Sequence, residues 1–75
     1  MDKERILAEA TNKGYKPGTK VKSLDNTTAK IIGKPFIHNY NTNLVVVEAT
    51  PEFDPEMVLN ITIYDDKKQK WAQII

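Results

Sequence analysis

Residues 61–74 admit one antiparallel register that meets three independent conditions at once, and this narrows the possible folds more than any other stretch. Setting Ile63 opposite Ala72 pairs Ile61 with Ile74 on one face and Tyr64 with Trp71 on the other. The same register sets Asp65 against Lys70 and leaves a four-residue loop, Asp66-Lys67-Lys68-Gln69. Aliphatic, aromatic and opposite-charge cross-strand pairs each stabilise a hairpin, and a slip of one residue would turn every side chain to the wrong face. A lone hairpin is at best marginally stable in water, so further strands must lie upstream.

The strongest of them is Asn43–Ala49. Its four successive apolar residues, Leu44-Val45-Val46-Val47, imply burial on both faces, between a sheet core and whatever covers the sheet. Thr50-Pro51 is expected to end it. Asp54-Pro55-Glu56 then combines a capping Asp, Pro at a first helical position and an acid, which predicts one helical or 3₁₀ turn around Pro55–Val58.

Before this strand, Val21 opposite Ile31 gives a first hairpin with an Asp25-Asn26-Thr27 loop and places Lys22 opposite Lys30 on the outer face. That like-charge pair costs stability unless the face is wet or meets an anion. Lys34-Pro35 breaks the second strand, and Phe36, Ile37 and Tyr40 suggest a short third one. At the other end, residues 2–13 read as a helix capped by Asp2 and terminated by Gly14, with a thin apolar face of Ile6, Leu7 and Ala10. A helix this short must dock to persist, and Trp71 with Tyr64 is the natural floor for it. Lys16-Pro17-Gly18-Thr19 has the Pro-Gly centre of a type II turn.

These elements predict a single mainly β (α+β) domain over residues 1–75: a short helix within 1–14, then a strand-rich region, 15–75, forming a five-stranded SH3-like small barrel. A 75-residue chain buries only roughly 60–65% of its unfolded surface, so each large apolar side chain counts. With no cysteine there is neither a disulfide nor a Cys-based zinc site, which fits a cytoplasmic setting. No apolar run approaches the roughly 20 residues that span a bilayer, so no membrane association is expected, and the charged Met1–Arg5 start does not resemble a signal peptide.

The net charge of +1 conceals a strong sorting. Lys13, Lys16, Lys20, Lys22, Lys30 and Lys34 fall in one segment with a single acid, Asp25, whereas Glu48, Glu52, Asp54, Glu56, Asp65 and Asp66 follow with no base between them. Two lobes of opposite sign either steer a partner or neutralise each other in the fold.

Two segments, Tyr15-Lys16-Pro17-Gly18-Thr19-Lys20-Val21 and Ile63-Tyr64 with Lys70-Trp71-Ala72-Gln73-Ile74-Ile75, carry a resemblance. They are similar to the Tyr-Pro-x-Gly-Thr-Lys-Phe opening and the Val-Tyr-x-x-Gly-Lys-Trp-Ala-x-Ile-Ile ending of small proteins from phages and prophages of Bacteroidetes-type bacteria. The last loop here, Asp66-Lys67-Lys68-Gln69, lacks that group's glycine, and the middle of the chain has no counterpart. The resemblance implies no activity. It implies a phage or mobile-element setting, in which small charge-polarised proteins often bind and block a host protein.

Chemistry is sparse. One histidine, His38, one serine, Ser23, and no cysteine argue against nucleophilic catalysis. The alternating acids Glu52, Asp54 and Glu56 lack the glycine and terminal bidentate acid of a calcium loop. Gly14, Gly18 and Gly33 are isolated, so no phosphate-binding loop exists. Neither catalysis nor a cofactor is expected.

The expected function is a non-enzymatic binding module that engages a protein partner, or another copy of itself, through its charged lobes. The candidate contact residues are Lys20, Lys22, Lys30, Lys34, Tyr64 and Trp71. A weak nucleic-acid binder using the lysine stripe is the alternative. It is disfavoured by the lack of any arginine beyond Arg5, the acidic second half and the few aromatics near the stripe. A minor structural protein of a virion is the third class.

Overall fold

The computed structural model describes residues 2–75. Helix α1, Lys3–Lys13, begins where the Asp2 carboxylate accepts the Arg5 N–H at 3.1 Å. It ends at Gly14, whose φ of 103° lets its N–H reach back to the Ala10 and Thr11 carbonyls. Ile6 and Ala10 are buried and Leu7 is partly so, as the thin apolar face predicts. At eleven residues, α1 is neither long nor apolar enough to cross a membrane. The Lys16–Thr19 turn follows, closed by the Thr19 N–H on the Lys16 carbonyl at 3.1 Å, with Gly18 at φ 95°.

The rest of the described chain is a seven-stranded antiparallel sheet. Its strands are β1 (Lys20–Lys22), β2 (Thr28–Ile31), β3 (Phe36–Ile37), β4 (Leu44–Pro51), β5 (Leu59–Asp65), β6 (Lys70–Trp71) and β7 (Gln73–Ile74). They run in the order β6-β5-β4-β2-β1-β7, with β3 on β4. Since β6 and β7 are separated only by Ala72, one bent strand lies on both edges of the path: its first half pairs with β5 and its second half with β1. The sheet is thereby nearly closed on itself. This is a small, mainly β, barrel-like domain with one short helix, and it has seven strand segments where five were expected.

The bend corrects the last hairpin. Tyr64 opposes Trp71 and Asp65 opposes Lys70, and the Ala72 N–H bonds to the Ile63 carbonyl at 2.7 Å. Beyond Ala72 the strand leaves β5, so Ile74 lies opposite Val21, not Ile61. The two faces proposed for this hairpin also merge. On β4, Val45 faces Tyr64 and Val46 faces Thr62, which leaves Ile63 as an extra residue, a β-bulge. An extra residue resets the alternation. Ile63 and Tyr64 are therefore both buried, at 0% and 4% exposure, and share one core with Ile6, Ala10, Tyr15, Val21, Ile31, Val45, Val47 and Ile61.

The first hairpin is paired two residues away from the expected register. Val21 faces Ala29, Lys22 faces Thr28 and Lys20 faces Lys30. The loop decides this: Asn26 takes a left-handed φ of 72°, its N–H bonds to the Ser23 carbonyl at 3.0 Å, and the Ser23 N–H bonds to the Thr27 carbonyl at 2.9 Å. Three-residue loops of this kind want a left-handed third residue, which Asn tolerates and Thr27 would not. The loop is thus Leu24-Asp25-Asn26. A shift of two preserves parity, so Val21 and Ile31 both still point inward.

β4 runs on through Thr50 to Pro51, which faces Ala29 at the strand end. No helical turn forms after it. Residues 52–58 make two tight turns, the second held by the Met57 N–H on the Asp54 carbonyl and the Glu56 N–H on the Asp54 carboxylate, both at 3.1 Å. Asp54 caps, as its position suggests, but the chain turns into β5 before a helix can propagate.

Candidate interaction surface

Side chains alternate along β1 and β2, so Lys20, Lys22 and Lys30 project from the outer face while Val21, Ala29 and Ile31 fill the core. β2 lies directly against β4: Lys30 faces Thr50, and the Glu52 N–H bonds to the Thr28 carbonyl at 2.9 Å. Charges sorted into separate halves of the sequence thus become neighbours across adjacent strands. Lys20 faces Lys30, and its Nζ lies 3.0 Å from Glu52 Oε1, so the repulsion is relieved from within the chain. Both partners of that pair are about half exposed, and such a bridge contributes at most about 1 kcal/mol.

Lys34 sits elsewhere. It flanks Pro35 in the β2–β3 connection, beside Lys16, Pro17 and the α1 end at Thr11. Tyr64 and Trp71 belong to the interior. Trp71 is half-buried, its ring centroid 4.4 Å from that of Tyr64 and 5.6 Å from that of Tyr15, with Lys13 Nζ 5.1 Å above it. The Tyr15 hydroxyl donates to the Ala72 carbonyl at 2.5 Å and so ties this stack to the bend of the closing strand. The Tyr64 hydroxyl reaches the Asp66 carboxylate at 3.1 Å.

What stands in solvent is a different apolar set. Phe53 is 73% exposed, Val58 52% and Met57 38%, all in the turns between β4 and β5, among the exposed Glu52 and Glu56 and the half-buried Asp54. Phe53 also lines an open depression with Asn26, Thr27, Thr28 and Glu52. No family model, curated protein or solved structure matches the chain. The surface chemistry of the chain is therefore the remaining guide, and exposed apolar side chains among charges are the usual mark of a contact site.

Sequence reasoning passes over these side chains because the acids and the capping Asp54 dominate the proline-bracketed stretch. The available signal was three large apolar residues, Phe53, Met57 and Val58, inside a turn too short to bury them. Tyr40, 96% exposed at the tip of the β3–β4 loop, was likewise read as part of a strand. It is held there because His38 Nδ1 accepts both the Tyr40 and Asn41 N–H groups, at 3.1 and 3.0 Å.

The loop under the depression also makes a pH-dependent contribution. The Asp25 carboxylate accepts the Ser23 hydroxyl, and the Thr27 N–H at 3.1 Å, and these bonds hold its pKa below the ordinary carboxylate value. A depressed folded-state pKa means a stabilising contribution that is complete above the ordinary value and is lost as pH falls through the lower, folded one. The urea midpoint should therefore drop in strongly acidic solution, and Asp25→Asn should flatten part of that drop. An identical acid profile in the variant would remove Asp25 from the account.

Proposed function

We propose that this chain is a non-enzymatic binding module of SH3-like architecture whose charge-polarised outer face engages a protein partner. The carrying observation is the exposure of Phe53, Met57 and Val58 in the β4–β5 turns, among acids, one of which, Glu52, is paired with Lys20 of the lysine face. Aromatic residues in such a setting are frequent binding hot spots, and adjacent charge of both signs favours a specific partner over a uniformly charged one. The SH3-like reading draws support from the sheet path: with β6 and β7 counted as one bent strand and β3 set aside, five strands remain in an antiparallel meander whose last strand returns to the first. The resemblance of residues 15–21 and 70–75 to phage and prophage proteins supports a mobile-element origin, with the host cytoplasm as the compartment and a host protein as the target.

The test is recovery of partners from host lysate on a tagged copy, identified by mass spectrometry. One protein should be enriched by the wild type and lost with both Phe53→Asp and Lys22→Glu, while circular dichroism shows both variants folded. Recovery of DNA or RNA instead would overturn the reading in favour of nucleic-acid binding. In that case affinity would fall steeply with salt, and each Lys→Ala change on the stripe would lower the slope by about one unit. The Glu52 carboxylate, 3.0 Å from Lys20 Nζ, weighs against that outcome, since phosphate on Lys20 would lie within about one Debye length, roughly 8 Å, of it.

A further inference from the structure

The outer face around Thr28 is complementary to itself. Lys22 on β1 stands on one side of Thr28, and Glu52, just after β4, stands on the other, its N–H on the Thr28 carbonyl. A base, a neutral centre and an acid therefore follow one another across three strands. At the neutral centre lies an open depression lined by Asn26, Thr27, Thr28, Glu52 and Phe53, the Phe53 ring largely in solvent on its acidic side. A two-fold axis through such a patch lays each charged half on its complement and each Phe53 ring in the opposite depression.

The charges favour a second copy over a partner of a single sign. A basic partner drawn to Glu52, Asp54 and Glu56 would be repelled by Lys22 and Lys30 a strand or two away, and an acidic partner would suffer the converse. Among the described residues, only Lys20 and Glu52 form an ion pair, so Lys22, Lys30 and Glu56 keep their charges available. We propose that this face forms a two-fold symmetric homodimer, in which Phe53 of each copy enters the other's depression and Lys22 of each meets the Glu52–Glu56 turn of the other. The inference rests on the protein-binding reading above and makes a second copy the occupant of this face when no host protein is bound to it.

Sedimentation velocity of the full chain, from low micromolar to about millimolar concentration, tests it, because small interfaces associate in that range. At low salt the mass should rise from 8.6 kDa toward twice that value, and high salt should reverse the rise. Phe53→Asp should stay monomeric throughout. Lys22→Glu and Glu56→Lys should each be monomeric alone, yet a mixture of the two should associate, since in a two-fold contact both repulsive pairs become attractive. A wild type still monomeric at millimolar concentration, a dimer indifferent to Phe53→Asp, or a mixture that fails to associate would each overturn the proposal. A monomeric wild type that captures a host protein in a Phe53-dependent way would overturn the homodimer and leave the protein-binding reading standing.

Discussion

Trp71→Ala should destabilise the domain by about 3 kcal/mol, the lower end of what removing a large aromatic side chain costs, because the ring is only half-buried. The loss falls on three contacts at once: the faces shared with Tyr15 and Tyr64, and the cation above the ring at Lys13. Tyr15 and Tyr64 are themselves almost fully buried, so the change leaves a void in the core rather than a dimple on the surface. A chain of this size has a stability of roughly 4–11 kcal/mol at the usual per-residue values, so a substantial share would go. The urea midpoint at neutral pH measures it. Trp71→Phe, which keeps an aromatic in the stack, should lose less than half as much. A midpoint unchanged by Trp71→Ala would mean that the stack is not part of the cooperative core.

Ala72→Pro should be of similar severity for a different reason. Ala72 is where the closing strand passes from β5 to β1, and both of its backbone polar groups are in use. Its N–H serves the Ile63 carbonyl at 2.7 Å and its C=O receives the Tyr15 hydroxyl at 2.5 Å. Proline removes the donor and leaves the buried Ile63 carbonyl unpaired, at about 1–3 kcal/mol, and its ring adds a steric cost in a position only 7% exposed. Amide exchange should then accelerate first in Gln73 and Ile75, whose N–H groups face β1 in a pairing that depends on the bend. Ala72→Gly, which keeps the N–H, is the control and should retain most of that protection. Equal protection in Ala72→Pro would show that the bend is not what closes the sheet.

The helix was legible in the sequence because its ends are marked by local chemistry: the Asp2 oxygen and the glycine at position 14 act within one turn. The Lys16–Thr19 turn was legible for the same reason. The Leu44–Val47 run revealed burial on both faces without revealing what lay there, and the Tyr64–Trp71 and Asp65–Lys70 pairs followed from matching side chains over a short loop. Three features were hidden, each for its own reason. The first register depends on which residue of the loop turns left-handed, a choice between Asn26 and Thr27 that the apolar pattern does not see. The bulge at Ile63 changes no residue type, only the count between strands. The departure of Ile74 from β5 toward β1 is a competition between two distant edges, and no local window contains both.

The candidate surface was half legible. Lysines at positions 20, 22 and 30 share parity and so were expected together on one face, as they are. Lys34 was grouped with them by proximity in sequence and lies apart. Tyr64 and Trp71 are expected both as contact residues and as the floor for the helix; Tyr64 is buried, and Trp71 is half-buried with Lys13 at the end of α1 above its ring. Phe53 is readable as an exposed side chain, since it shares with Met57 and Val58 a turn too short to bury them, but the acids and the capping Asp54 around it carry the stronger local signal.

The bent closing strand also dictates an order of events in time. Contacts within β1–β2, β4–β5 and β5–β6 join segments near one another in the chain and can form in microseconds once their turns are set. The pairing of Val21 with Ile74 joins positions separated by most of the chain, so its loop-closure entropy must be met before it returns any bonding. Folding should therefore be gated by this last docking, with a three-hairpin species preceding it in which Val21 lacks its neighbour and both sheet edges are open. Open edges are where chains pair with the wrong partners. The protein's vulnerability to aggregation thus belongs to the interval before closure, and changes near Ala72 would lengthen that interval even where they leave the finished fold intact.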